Sequence, residues 1–146
     1  MKTVATNRRA RFDYEITDTL EAGMILTGPE AKSCRAGHID LRGAYVSFHG
    51  GNPVLKHSTI APYQYAADLA SYMPGRDRPL LLKKNELEKL KTLTEQKGIT
   101  IIPLEVTAGK FIKLKLGIAR GRKTIDKRTH IREREIGKKL RKGEEV

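Results

Sequence analysis

Three clusters of cations in this 146-residue chain could do recognition chemistry: Arg8/Arg9/Arg11, Lys32/Arg35 and Arg120/Arg122/Lys123. Guanidinium and ammonium groups bind phosphate oxygens, and arginine does so through a planar fork. Near the first two clusters in the sequence lie Tyr14 and Glu30. A carboxylate beside arginines can orient them as rigid forks for phosphate or base edges. Glu30 also follows Pro29 at a position where a carboxylate compensates a helix dipole, and residue types alone leave both readings open. The run Arg8 to Arg11 equally fits a solvated terminus.

Catalytic chemistry has less support. The histidines are His38, His49, His57 and His130, with no HxxxH or HExxH spacing, and the one cysteine, Cys34, supplies no zinc-type ligand set. There is no GxGxxG and no GxxxxGK[ST] phosphate loop. Ser33 and Cys34 have no evident base nearby. No enzyme activity, metal or cofactor is expected. A nuclease or RNA-modifying enzyme ranks last among the functional classes for lack of ligands and general bases.

The charge distribution points to an anionic partner. Residues 110–142 hold 14 Lys or Arg against 3 Asp or Glu, a net +11 in a chain of +12. Such concentrated charge repels itself unless a polyanion relieves it, and RNA phosphate does so with release of counterions. A lone cysteine forms no internal disulfide, which suggests a reducing compartment. No apolar leader or long apolar span is present, so a cytoplasmic protein without a membrane role is expected. A monomer is expected.

The elements that must position these cations read as mostly strands. Tyr14 and Ile16 alternate with polar neighbours, and 22–27 reads as a second strand. Pro29 to Ala36 reads as a short helix closed by Gly37, with Cys34 as a small buried residue. Residues 44–49 and 54–60 form a hairpin about Gly50-Gly51-Asn52-Pro53. Residues 68–79 carry loop signals and are expected to form a flexible loop at the surface. A helix over Asn85 to Gln96 has Asn85 as cap, Glu88 as its box partner and a Leu87/Leu90/Leu93 stripe. Strand 99–106 follows, with Pro103 marking an edge or bulge. From Gly109 the chain alternates Ile112, Leu114, Leu116 and Ile118 with Lys113 and Lys115, a strand with a basic outer face. Hydrophobic residues make up 38% of the chain, which supplies one modest core. A mainly β fold follows: a small antiparallel OB-fold-like barrel over 1–119 with flanking short helices. Residues 120–146 hold 11 Lys or Arg and 5 Asp or Glu with few bulky aliphatics, so this basic tail should be disordered until bound and helical on an anionic surface.

Four ordered stretches carry a family likeness: Asn7-Arg-Arg-Ala-Arg-Phe-Asp-Tyr14, the run from Glu21 to Arg35, Ala61-Pro-Tyr63, and Leu116-Gly-Ile-Ala-Arg-Gly-Arg-Lys-Thr-Ile-Asp-Lys-Arg128. Together they resemble the SsrA-binding protein family, also called small protein B, the partners of transfer-messenger RNA in bacterial trans-translation. The resemblance spans residues 3 to about 136. It implies that the barrel binds the tRNA-like domain of transfer-messenger RNA and delivers that RNA to stalled ribosomes. It implies that the tail enters the empty mRNA channel near the decoding region and the small-subunit rRNA. It places Asn7, Arg8, Glu30, Lys32, Arg35 and Gly121 on the RNA-facing side, to which the basic clusters add Arg9, Arg120 and Lys123. It assigns Lys123, Asp126, Lys127 and Arg128 to the ribosome-binding tail, to which we add Ile125 and Arg132. Ile125 stands where the family usually has an aromatic residue or histidine, and Ile136 where some relatives have tryptophan, so charge should anchor this tail more than stacking does. Cys34 stands for a usual leucine and Pro29 for a usual threonine, both compatible with a short packed helix. The alternative reading is a generic basic OB-fold protein of the ribosome or an RNA chaperone.

Overall fold

The computed structural model describes residues 2–66 and 69–121. The chain runs β1 (Lys2–Thr6), α1 (Ala10–Asp13), β2 (Tyr14–Met24), α2 (Gly28–Arg35), β3 (Ile39–Asp40), β4 (Tyr45–His49), β5 (Asn52–Lys56), β6 (Thr59–Ile60), a 3-10 turn at Leu69–Ser71, β7 (Arg78–Leu81), α3 (Lys84–Thr94), β8 (Ile99–Ala108) and β9 (Ile112–Gly121). The main sheet is antiparallel, in the order β1-β8-β4-β5-β7-β2-β9, and β9 pairs back onto β8. Six strands therefore close into a barrel, with β1 added along β8. This is the mainly β, OB-fold-like architecture that strand spacing predicts, with closure joining six of the strands and leaving β1 along one side.

Alternation places the core. Leu55, Ile60, Leu90, Ile101, Val106, Leu114 and Leu116 are wholly buried in one cluster. The basic partners Lys113 and Lys115 of β9 lie at the half-exposed positions between them. Strand β8 is apolar on both faces, because Ile102 and Leu104 join a second, smaller cluster with Ala10 and Ala119. Helix α3 contributes Leu90 to the main core, with Leu93 packed against it.

Several expectations need correction. The two short strands expected over 14–27 are one strand, β2, with a register shift between Ile16 and Asp18, because β9 pairs with it from Tyr14 to Gly23. The strand expected over 54–60 breaks at His57, whose φ of 64° leaves the extended region. Helix α3 begins at Lys84, one residue before expectation, with Lys83 rather than Asn85 at the cap, and Glu86 rather than Glu88 accepts from the Lys83 N–H, at 3.4 Å. Pro103 marks a register shift in the β8–β9 pairing, yet β8 is no edge strand. Strand β1 was not expected from its basic, irregular surroundings. Strand β9 continues past Ala119, pairing Arg120 with Glu15 and Gly121 with Tyr14. Gly117 lies inside that strand, where a Cβ would stand 3.1 Å from Leu104 Cδ1 and 3.2 Å from Ile16 Cγ2.

Candidate nucleic-acid interface

Helix α2 starts where Thr27 adopts an extended backbone and closes a reciprocal box. Thr27 Oγ1 accepts from the Glu30 N–H at 3.3 Å, and Glu30 Oε1 accepts from the Thr27 N–H at 3.0 Å. The same carboxylate is only 1% exposed. It accepts from Arg76 through Nη2 on Oε1 and through Nε on Oε2 (2.9 Å), and from Arg78 Nε and Nη2 on Oε2 at 3.3 and 2.9 Å. Tyr72 donates its hydroxyl to the Ile60 carbonyl at 2.9 Å and receives Arg78 Nη2 at 3.1 Å. Burial pushes the Glu30 carboxyl up, but hydrogen bonds from Arg76, the Thr27 N–H and Arg78 outweigh it and bring its pKa down to about 2.

This cluster corrects the picture of 68–79 as a loose surface loop. Tyr72, Arg76 and Arg78 tie that segment to α2 through one buried anion, which would be costly to leave unpaired. The idea that Glu30 orients arginines holds, but its partners are Arg76 and Arg78. Arg8–Arg11, Lys32 and Arg35 are not among them. Glu30 is too buried to meet a ligand directly, and it fixes Arg76, whose side chain remains one-third exposed. Sequence reasoning missed Tyr72, Arg76 and Arg78. The available signal was the alternation Arg78/Leu80 inward against Pro79/Leu81 outward along β7.

The N-terminal cations gather at two adjoining clefts. The first, about 520 Å3, is bordered by Arg8, Arg9, His38, Asp40, Arg42 and Thr59. The second, about 480 Å3, shares Arg9 and Arg42 and adds Asn7, Asp13, Tyr14 and Tyr45. Asn7 holds the turn between β1 and α1 in place, its Nδ2 donating to the Pro103 carbonyl at 3.0 Å and its N–H to the Leu104 carbonyl at 2.7 Å. Arg9 lies 4.4 Å over the Phe12 ring and 3.3 Å from Asp13. Arg8 is exposed and has no acidic partner among the described residues. Arg42, missed from sequence, is held by Asp40 through Nε and Nη2 at 3.0 and 2.7 Å, which leaves Nη1 for a ligand on an already oriented fork. That contact also holds the Asp40 carboxyl below the usual range.

Lys32 and Arg35 stand apart from these clefts. Lys32 lies 5.3 Å over the Tyr63 ring. Arg35 donates to the Gly109 and Lys110 carbonyls at 2.7 and 3.2 Å, so it braces the β8–β9 turn. Arg120 and Gly121 are exposed at the end of β9, opposite Glu15 and Tyr14 and thus beside α1. Lys123, Ile125, Asp126, Lys127, Arg128 and Arg132 lie outside the described residues. Cys34 is fully buried, and burial pushes its thiol up to about 11, as suits a packing residue. Among the described residues, no group of three His, Cys, Asp or Glu could hold a metal ion, and no helix is long and apolar enough to cross a membrane. The arrangement presents arginine forks with two tyrosine rings around open clefts, a chemistry suited to phosphates and base faces.

Comparison with known proteins agrees in sequence and in structure. The SmpB protein family model matches residues 4–145. An SsrA-binding protein of Synechococcus sp. (strain JA-3-3Ab) is 44% identical over 97% of this chain and 93% of its own. One from Coprothermobacter proteolyticus is 43% identical over 97% and 96%. A solved chain described as "tmRNA-SmpB: a journey to the center of the bacterial ribosome" superposes with a TM-score of 0.69 at 43% identity, covering 87% of this chain and 93% of that one. With a family model across nearly its whole length and relatives above 40% identity, the chain belongs to the SmpB, or SsrA-binding protein, family.

Proposed function

We propose that this protein is an RNA-binding adaptor of trans-translation that performs no catalytic step. Its barrel binds the tRNA-like domain of transfer-messenger RNA, and the adaptor brings that RNA to stalled ribosomes in the cytoplasm. Residues 120–146 then engage the small-subunit rRNA at the decoding region and the empty mRNA channel, with Lys123, Ile125, Asp126, Lys127, Arg128 and Arg132 as contacts. Family membership over 97% of the chain is the observation that carries this reading. The clefts support it: Arg8, Arg9 and Arg42 face solvent beside Tyr14 and Tyr45, supplying phosphate contacts and ring faces together.

The test is a competition gel shift of the tRNA-like domain against total tRNA across a salt series. An adaptor that reads a folded shape prefers the tRNA-like domain by well over tenfold at physiological salt. Equal affinity for both, with a steep salt slope, identifies a generic basic RNA-binding protein instead.

A further inference from the structure

A second surface, away from the arginine clefts, combines apolar exposure with cations. Phe111 is 64% exposed and Leu81 61% exposed, large values for such residues in a closed barrel. They face a groove of about 460 Å3 that Arg35, Lys110 and Lys113 also line, with no Asp or Glu in its lining. The turn that carries the aromatic ring is braced. Arg35 fixes the carbonyls of Gly109 and Lys110, and the Gly109 N–H donates to the Phe111 carbonyl at 3.2 Å. Lys110 Nζ lies 5.7 Å from the ring centroid. Lys113 is paired with Glu21 at 3.0 Å, whereas Arg35 and Lys110 have no carboxylate partner among the described residues.

The geometry points to this groove as a base-stacking site for RNA, with Phe111 as the platform and Lys110 and Arg35 serving the adjoining phosphates. A ring on a braced turn loses little entropy when a base stacks on it, and every nucleobase offers a face regardless of sequence. Charge excludes the other occupants nearest to hand. A second copy of this +12 chain, or its own basic residues 122–146, would bring like charge to a cationic groove. Resting on the adaptor reading, the occupant is an unpaired base of the tRNA-like domain, because the groove belongs to the barrel and not to the tail.

The chain has no tryptophan, so the indole introduced by Phe111→Trp reports on this position alone. Adding the tRNA-like domain to the full-length Phe111→Trp chain quenches that fluorescence, whereas heparin, a polyanion without bases, does not. In gel shifts Phe111→Ala and Phe111→Leu each weaken the tRNA-like domain by about 5- to 150-fold, the value of one stacked base, and Phe111→Trp binds as tightly as the parent. An unquenched indole with tight binding intact overturns the groove and leaves the adaptor reading standing. So does parental affinity in Phe111→Leu, or quenching by small ribosomal subunits and not by the tRNA-like domain. Loss of selectivity in the parent chain itself overturns both. The side chain is exposed, and matched thermal midpoints among the variants confirm that folding is unaffected.

Discussion

Glu30 serves two parts of the fold with one carboxylate. It completes the N-terminal box of α2 and neutralises Arg78, whose side chain is fully buried. Its folded pKa of about 2 lies below the ordinary value of 4.5, so its stabilisation is fully present above about pH 4.5 and disappears as pH falls towards 2. The loss is on the order of 3 kcal/mol. Urea melts between pH 7 and pH 2 should show that decline in the parent and a flatter profile in Glu30→Gln. The variant should also be less stable at neutral pH by about 3–5 kcal/mol, because Arg78 is left uncompensated in the interior. Parallel profiles for the two proteins would remove Glu30 as the cause. Arg8 is instead exposed at the N-terminal cleft. Arg8→Ala should weaken RNA binding about equally across sequences and reduce the slope of log affinity against log salt by about 1, read from the same competition series.

Among the elements, β9 was the most legible, and the reason is local. Its inward residues Ile112, Leu114, Leu116 and Ile118 and outward lysines recur at the period of the strand itself. Helix α3 was legible for the same reason, through Leu87, Leu90 and Leu93. What sequence did not disclose depends on distant partners. Arg78 turns inward only because Glu30, 48 residues away, waits there. Strand β1 exists only because residues 105–108 of β8 offer it an edge. Strand β2 runs on through the exposed polar residues 17–19 because β9 pairs along its length. The candidate site divides along the same line. Arg8 and Arg9 were visible as a local cluster, whereas Arg42, Tyr45 and Arg76 join the site through the fold. Gly117 measures how closely β9 approaches its neighbours. Gly117→Ala would press a methyl group on Leu104 and Ile16 and should cost about 1–3 kcal/mol, seen as a lower thermal midpoint with RNA contacts unchanged. An unaltered midpoint would mean that the two side chains swing clear.

At the scale of the whole molecule, the charge divides at Gly121. Residues 122–146 carry ten Lys or Arg and five Asp or Glu, and their removal leaves a chain of +7. The barrel closes through the pairing of β9 with β2 and with β8, and the last two β9 residues pair with Glu15 and Tyr14, beside the arginine clefts. A cut after Ala119 would strip those pairs and disturb α1, confounding loss of the tail with damage to the barrel. A cut after Gly121 separates the two. It should leave the thermal midpoint of the barrel unchanged and keep binding of the tRNA-like domain, with a shallower salt dependence because fewer cations remain. It should abolish tagging on stalled ribosomes, because the tail signature from Lys123 to Arg132 is gone. Within that tail, Ile125→Tyr supplies a ring and should maintain or raise tagging, since stacking on an exposed base contributes about 1–3 kcal/mol. The two experiments constrain each other. If the Gly121 truncation loses tRNA-like-domain binding as completely as tagging, the tail serves both partners. If Ile125→Tyr lowers tagging, position 125 packs against a surface with no room for a ring, and charge alone guides the tail into the ribosome.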